Sequence, residues 1–248
     1  MNYREPPGFE PCPKWRCHPQ TPFFIVRAIN LVRKSINANN GHPSQYRRLD
    51  SKLDAKKSLI NADDCVLIVV DVQDHFLAKL QPQKAEQLVN RVGWLMEIAK
   101  VLNVPIIATA EEEKRFGELT AVLAEKIPQG TKVHDKTVYC LADQPNILDE
   151  LRKTKRKTAV IVGLETDVCI AQSAIGLMQN GFQVVVLADA TDSPGNEHVL
   201  GLERVRAAGA LVMNLKGLYY EWIRTVSMCN MIDNEHLKRI GQPYGIIL

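Results

Sequence analysis

Three residue types in this chain could together make and use a nucleophile: a cysteine at a helix start, a carboxylate at a strand end and a lysine among apolar neighbours. Cys169 lies in Val160-Ile-Val-Gly-Leu-Glu-Thr-Asp-Val-Cys-Ile-Ala-Gln-Ser-Ala174. This is an apolar, β-branched run that breaks at Gly163, passes Glu165, Thr166 and Asp167, and enters a helical pattern. A thiol in the first turn of a helix meets unpaired N–H groups and the positive end of the macrodipole, which favour the thiolate. Positions 169, 172, 173, 176 and 180 share one side of that helix and read Cys, Gln, Ser, Gly and Asn. A cysteine used only for packing would sit more naturally in line with Val168, Ala171, Ile175 and Met178. Asp167 works against activation, so Lys136 and the helix N-terminus must outweigh its charge.

Asp71 follows the run Cys65-Val-Leu-Ile-Val-Val70, which reads as a strand buried on both faces. A carboxylate there lies at the edge of a crevice and is placed to act as a general base, or as an ordinary turn-former. Lys136 sits in the loop His134-Asp-Lys-Thr-Val-Tyr-Cys140, expected just before the third helix, and is followed by uncharged residues. The lysines of Arg152-Lys-Thr-Lys-Arg-Lys157, by contrast, form a solvated run at the opposite end of the sheet. A lysine held near a thiol and a carboxylate lowers the thiol pKa and keeps the carboxylate ionised.

These residues need a scaffold, and the apolar pattern supplies one. A helix over about 84–103 and a strand at 105–109 follow the first strand. A weaker helix at 118–126, a short piece at 132–134 and a helix at 146–153 come next. Then a strand at 158–162, the Cys169 helix to Asn180-Gly181, a strand at 183–187, a helix at 197–208, a strand at 210–213 and a helix at 218–225 complete the alternation. This predicts an α/β fold of three layers, a doubly wound, mainly parallel, Rossmann-like sheet flanked by helices. Ligands of such sheets bind beyond the carboxyl ends of the strands, where strand order reverses.

The domain is expected over residues 61–228. A basic, Pro-rich and mostly disordered extension (1–60) precedes it, with one short helix near Ile25–Ile36, and a C-terminal tail (229–248) follows. Of the 248 residues 46% are hydrophobic and 24% charged, enough for a sizeable core. The net charge of +3 is unevenly placed: residues 1–60 hold 11 Lys+Arg against 4 Asp+Glu, the remainder 20 against 24. A mildly acidic domain gives no reason to expect nucleic acid as a partner. No apolar run approaches the roughly 20 residues of a membrane span. Cysteines 12, 17, 65, 140, 169 and 229 show no disulfide-framework spacing, and Cys12, Cys17 and His18 lack a second ligand pair for zinc. A cytoplasmic protein with reduced thiols is expected.

Taken together, Val-Val-Asp71-Val-Gln, Lys136-Thr137, Gly163-Leu-Glu-Thr-Asp-Val-Cys169 and Leu187-Ala-Asp-Ala-Thr-Asp-Ser193 resemble the isochorismatase-like cysteine hydrolase superfamily over about residues 63–226. Glu203-Arg-Val-Arg-Ala-Ala-Gly-Ala210 adds a likeness to its isochorismatase domain-containing, YcaC-related branch. The resemblance implies an Asp71, Lys136, Cys169 triad, with Asp71 as general base and Cys169 forming a thioester. It also implies a non-proline cis peptide at Leu164-Glu165, which would aim main-chain N–H groups of Glu165 and Cys169 as an oxyanion hole. A homo-oligomer and a small-molecule substrate are implied as well.

Metal-dependent nicotinamidases of the superfamily place an Asp and two His after the second strand. Here Ala110-Glu-Glu-Glu-Lys-Arg-Phe116 has no histidine, so no metal and no cofactor are expected. Glu111, Glu112 and Glu113 could meet a hard cation, but a run of carboxylates reads first as a solvated loop. The expected activity is cysteine-dependent hydrolysis of a small amide or related C–N bond. Vinyl-ether hydrolysis of the isochorismatase type, and a non-catalytic binding protein on the same fold, stand as alternatives.

Overall fold

The computed structural model describes residues 59–248. The expectations of a disordered basic extension, a helix near Ile25–Ile36 and a tail holding Cys12, Cys17 and His18 lie outside the described residues. Helices and strands alternate as β1 (Cys65–Val70), α1 (Asp74–Leu77), α2 (Pro82–Val101), β2 (Ile106–Glu111), α3 (Glu113–Phe116), α4 (Ala121–Ala124), β3 (Val133–Lys136) and α5 (Pro145–Lys153). They continue as β4 (Thr158–Leu164), α6 (Ala171–Gln179), β5 (Gln183–Asp192), α7 (Glu197–Ala208), β6 (Leu211–Met213), α8 (Leu215–Ile223), α9 (Val226–Ile232) and α10 (Lys238–Ile240). The region 118–126, read as a weak helix, keeps only the single turn α4.

All neighbouring strands pair in parallel, in the order β3-β2-β1-β4-β5-β6. Chain order therefore reverses between β1 and β4, which places the switch-point crevice beyond Val70 and Leu164. Residues 65–70 and 158–164 are buried throughout, as expected for strands covered on both faces. Because side chains alternate, Val66, Ile68, Val70, Ile161, Val184 and Val186 pack on one side with Leu148, Leu151, Ala174 and Leu177. Helices α2 and α8 lie against the sheet as well, and Leu95, Met96, Leu218, Tyr219 and Trp222 of these helices are buried. The chain after α8 stays attached to the body: Trp94 Nε1 donates to the Gly241 carbonyl at 2.9 Å, and Arg91 Nε to that of Tyr244 at 3.0 Å. Among the described residues no helix is long and apolar enough to cross a membrane.

The crevice needs a close approach of β1 and β4, and Gly163 makes it possible. Its φ is +116°, and a Cβ built there would stand 2.1 Å from the Val70 carbonyl oxygen. Both the backbone region and the space exclude a side chain. Gly163→Ala is expected to lower unfolding free energy by roughly 3 kcal/mol, measured by urea denaturation. A change under about 0.5 kcal/mol, the scale of ordinary surface substitutions, would contradict this packing.

Candidate active site

The register of the strands brings the candidate residues together. Val70 pairs with both Thr109 and Gly163, and Glu111 pairs with Lys136, so the ends of β1, β2, β3 and β4 surround one point. Asp71, at φ +51°, turns the chain out of β1. It is 1% exposed, its Oδ1 accepts from Thr109 Oγ1 at 2.7 Å, and its Oδ2 stands 2.9 Å from Lys136 Nζ.

Lys136 is fully buried and closes β3 rather than lying in a loop before the next helix, a correction to its expected setting. Its ammonium also donates to the Val138 carbonyl at 2.7 Å and to Cys169 Sγ at 3.7 Å. Asp71, Lys136 and Cys169 thus meet as expected. Burial works to lower the lysine pKa, but the facing Asp71, Cys169 and Glu111 outweigh it and hold it above its ordinary value. Burial pushes the Asp71 carboxyl up, against the pull of Lys136 and Thr109.

The cysteine environment differs from the sequence reading in four ways. Residues Thr166–Ile170 form a π-helical turn before α6, and Cys169 sits in that turn, 5% exposed. Second, the side read as polar is divided: Cys169, Ser173 and Gly176 are buried, while Gln172 and Asn180 are exposed. Ser173 Oγ accepts from Leu141 N at 3.1 Å and donates to the Tyr139 carbonyl at 3.3 Å, and a Cβ on Gly176 would meet Cys140 Sγ at 2.3 Å. The buried part of this face therefore docks on the segment after β3, whereas on the other line Ala171 is buried and Val168, Ile175 and Met178 are half-buried.

Third, Asp167 faces away from the thiol. Its Oδ1 accepts from Ser193 Oγ at 2.7 Å, and Ser193 Oγ also receives the Thr166 N–H at 2.7 Å, so the end of β5 braces the cysteine turn. Fourth, the resting thiol is not pre-ionised. Burial, then the Asp71 charge, raise its pKa well above the usual thiol value; Lys136 opposes them, and Glu111 raises it further. The helix-start argument is overridden by desolvation.

Glu111 is the residue that sequence reasoning missed. The carboxylate run was read as a solvated loop, yet β2 continues through Glu111. Gln73 clamps its main chain: Glu111 N donates to Gln73 Oε1 at 2.6 Å, and Gln73 Nε2 donates to the Glu111 carbonyl at 2.9 Å. Glu111 Oε2 accepts from Cys169 Sγ at 3.3 Å and Lys136 Nζ at 3.4 Å. The signal available was its place at the end of a buried strand, the same criterion that selected Asp71.

A cavity of about 320 Å³ opens above Asp71, Glu111 and Cys169. His75, Phe76 and Phe116 stack along its wall with ring centroids 4.7 to 5.2 Å apart. Glu165 also lines it, paired with Lys79 at 2.8 Å. The Leu164–Glu165 peptide is cis, as the resemblance implied. Ligand atoms of Asp71, Glu111 and Cys169 lie within 4.8 Å of one another, a spacing that a metal could use. The Lys136 ammonium, 2.9 to 3.7 Å from all three, already fills the place of a cation.

Comparison with known proteins identifies the family. The family model described as Isochorismatase domain matches residues 65–216. Isochorismatase family protein 1B of Dictyostelium discoideum is 29% identical over 163 residues, covering 64% of this chain and 78% of that protein. The structure of YcaC from Pseudomonas aeruginosa, bearing covalent acrylamide, superposes with a TM-score of 0.63 at 25% identity, over 71% of this chain and 96% of that one. YcaC of Escherichia coli, described as an octameric hydrolase of unknown specificity, gives a TM-score of 0.63 at 23% identity, over 73% and 92%. The chain belongs to the isochorismatase-like hydrolase family.

Removing Lys136 would strand a buried carboxylate. Lys136→Met is expected to destabilise the domain by about 3 to 5 kcal/mol, and adding Asp71→Asn should recover part of that loss. Chemical denaturation of the two variants checks it. Additive losses would mean that the two residues are not energetically coupled.

Proposed function

We propose that the protein hydrolyses a small-molecule amide or related C–N bond through a thioester on Cys169. The observation that supports this most is the buried Lys136 ammonium, 2.9 Å from Asp71 and 3.7 Å from the Cys169 sulfur, at the floor of a substrate-sized cavity. In this reading the sulfur adds to the carbonyl carbon and loses its proton, and the oxyanion is met by main-chain N–H groups of Glu165 and Cys169. Lys136 offsets the charge that develops on sulfur. Collapse breaks the C–N bond as the leaving nitrogen gains a proton. Water then adds to the thioester, with Asp71 as the base of that second half, and releases the acid and the free thiol. The aromatic wall of His75, Phe76 and Phe116 excludes water from the acyl group and favours a flat or apolar substituent.

A reducing compartment such as the cytoplasm suits Cys65, Cys140, Cys169 and Cys229, all of which are free. The octameric description of the Escherichia coli relative supports a homo-oligomer here too. Light scattering on the eluting protein is expected to give a multiple of the chain mass, and a monomer mass would contradict it.

The function is tested with a panel of small amides and imides. Cys169→Ala and Cys169→Ser should lower turnover at least about 10³-fold while leaving the circular dichroism spectrum unchanged. Retained turnover in either folded variant would exclude the nucleophile.

A further inference from the structure

If Cys169 is the nucleophile, its proton must go somewhere, because burial keeps the resting thiol protonated. Asp71 also faces the sulfur, its Oδ1 accepting from Thr109 at 2.7 Å and its Oδ2 ion-paired with Lys136 at 2.9 Å. It lies on the cavity floor with only 1% of its surface exposed. Glu111 also pairs with Lys136, at the longer distance of 3.4 Å, but differs in its contact with the thiol and in its exposure. Its Oε2 accepts a hydrogen bond from the thiol at 3.3 Å. Its side chain is 14% exposed and lines the cavity where a leaving group must lie. Gln73 holds its main chain on both sides, so the carboxylate is positioned by strand register rather than by a free loop. The next two glutamates do not share this setting: Glu112 pairs with Arg115 at 3.3 Å, and Glu113 is half-buried in α3, where its N–H donates to Asp135 Oδ1 at 3.1 Å.

We propose that Glu111 is a further catalytic residue, accepting the Cys169 proton as the C–S bond forms and passing it to the leaving nitrogen as the C–N bond breaks. This rests on Cys169 as the nucleophile. The sulfur lone pair becomes the C–S bond and the carbonyl π pair moves to oxygen. When that pair returns, the C–N electrons leave with nitrogen, which takes the proton from the Glu111 carboxylic acid and restores the carboxylate. The step favours substrates whose nitrogen is a poor leaving group until protonated, such as amides and ureas, over activated esters, which need no proton donor. Asp71 keeps Lys136 charged during this half of the reaction.

The test is the pH dependence of Cys169 alkylation by iodoacetamide, with the modified residue identified by peptide mass. The sulfur displaces iodide, so a proton acceptor is needed but no donor. With Glu111 accepting, the proton is taken up inside the site as the sulfur attacks, and the rate should depend little on pH from about 6 to 8. In Glu111→Gln that acceptor is lost, and with solvent taking the proton the rate should rise about tenfold per pH unit over that range. A tenfold-per-unit rise in the wild type would overturn the role, and a plateau retained in Glu111→Gln would move it to Asp71. Should Glu111→Gln not fold, Glu111→Asp is expected to keep the plateau at a lower rate, and a steep profile there would overturn the role. Alkylation of Cys169 no faster than that of Cys65, whose pKa burial pushes up to about 12, would instead remove the nucleophile and the role together.

Discussion

A lysine ammonium with no solvent contact is the constraint on which the rest of this molecule depends. Withdrawing such a charge from water costs several kcal/mol unless it is paired and fully hydrogen-bonded. Lys136 meets that condition with Asp71, Glu111 and the Val138 carbonyl. Each partner comes from a different segment: Asp71 from the end of β1, Glu111 from the end of β2, and Val138 from the chain just past β3. β3 is an edge strand, and neighbouring strands stand about 4.8 Å apart, so the base of Lys136 lies two strand spacings from β1. A long, flexible side chain is needed to bring positive charge from there to the switch point.

The same burial shapes the chemistry. A low-dielectric pocket strengthens every charge inside it, but it also holds the thiol neutral. The site thus rests as a thiol beside an ion pair, and proton transfer is coupled to attack on the substrate. The expectation drawn from the helix start alone, a standing thiolate, counts only half of the local physics. The helix terminus and Lys136 favour the anion, while desolvation and two carboxylates oppose it. Cys65 shows desolvation prevailing: fully buried in β1, it is a packing residue whose pKa burial pushes up to about 12.

Much of the fold was legible because buried parallel strands leave continuous β-branched runs. Cys65–Val70 and Thr158–Leu164 announce themselves, and Asp71 and Cys169 follow directly from standing at their ends. Lys136 was found by its uncharged followers, although its strand, Val133–Lys136 with three residues in four charged or polar, carries no apolar signature. Glu111 was hidden by its neighbours: three successive glutamates look solvated until the register with β3 and the Gln73 clamp are known. Asp167 was misjudged because sequence distance to Cys169 says nothing about direction, and Ser193, far along the chain, turns it away. The face of Cys169, Ser173 and Gly176 read as polar because small residues that admit a neighbouring backbone look the same as solvated ones.

The central claim is that Cys169 carries the acyl group. Intact-mass spectrometry of wild-type protein, acid-quenched during reaction with a panel of small amides and imides and followed by peptide mapping, tests it most directly. The account predicts an added mass equal to the substrate minus its amine, located on Cys169 and released by hydroxylamine. Substrate turned over with no covalent species at any quench time, or an adduct on Cys65 or Cys140 instead, would contradict it.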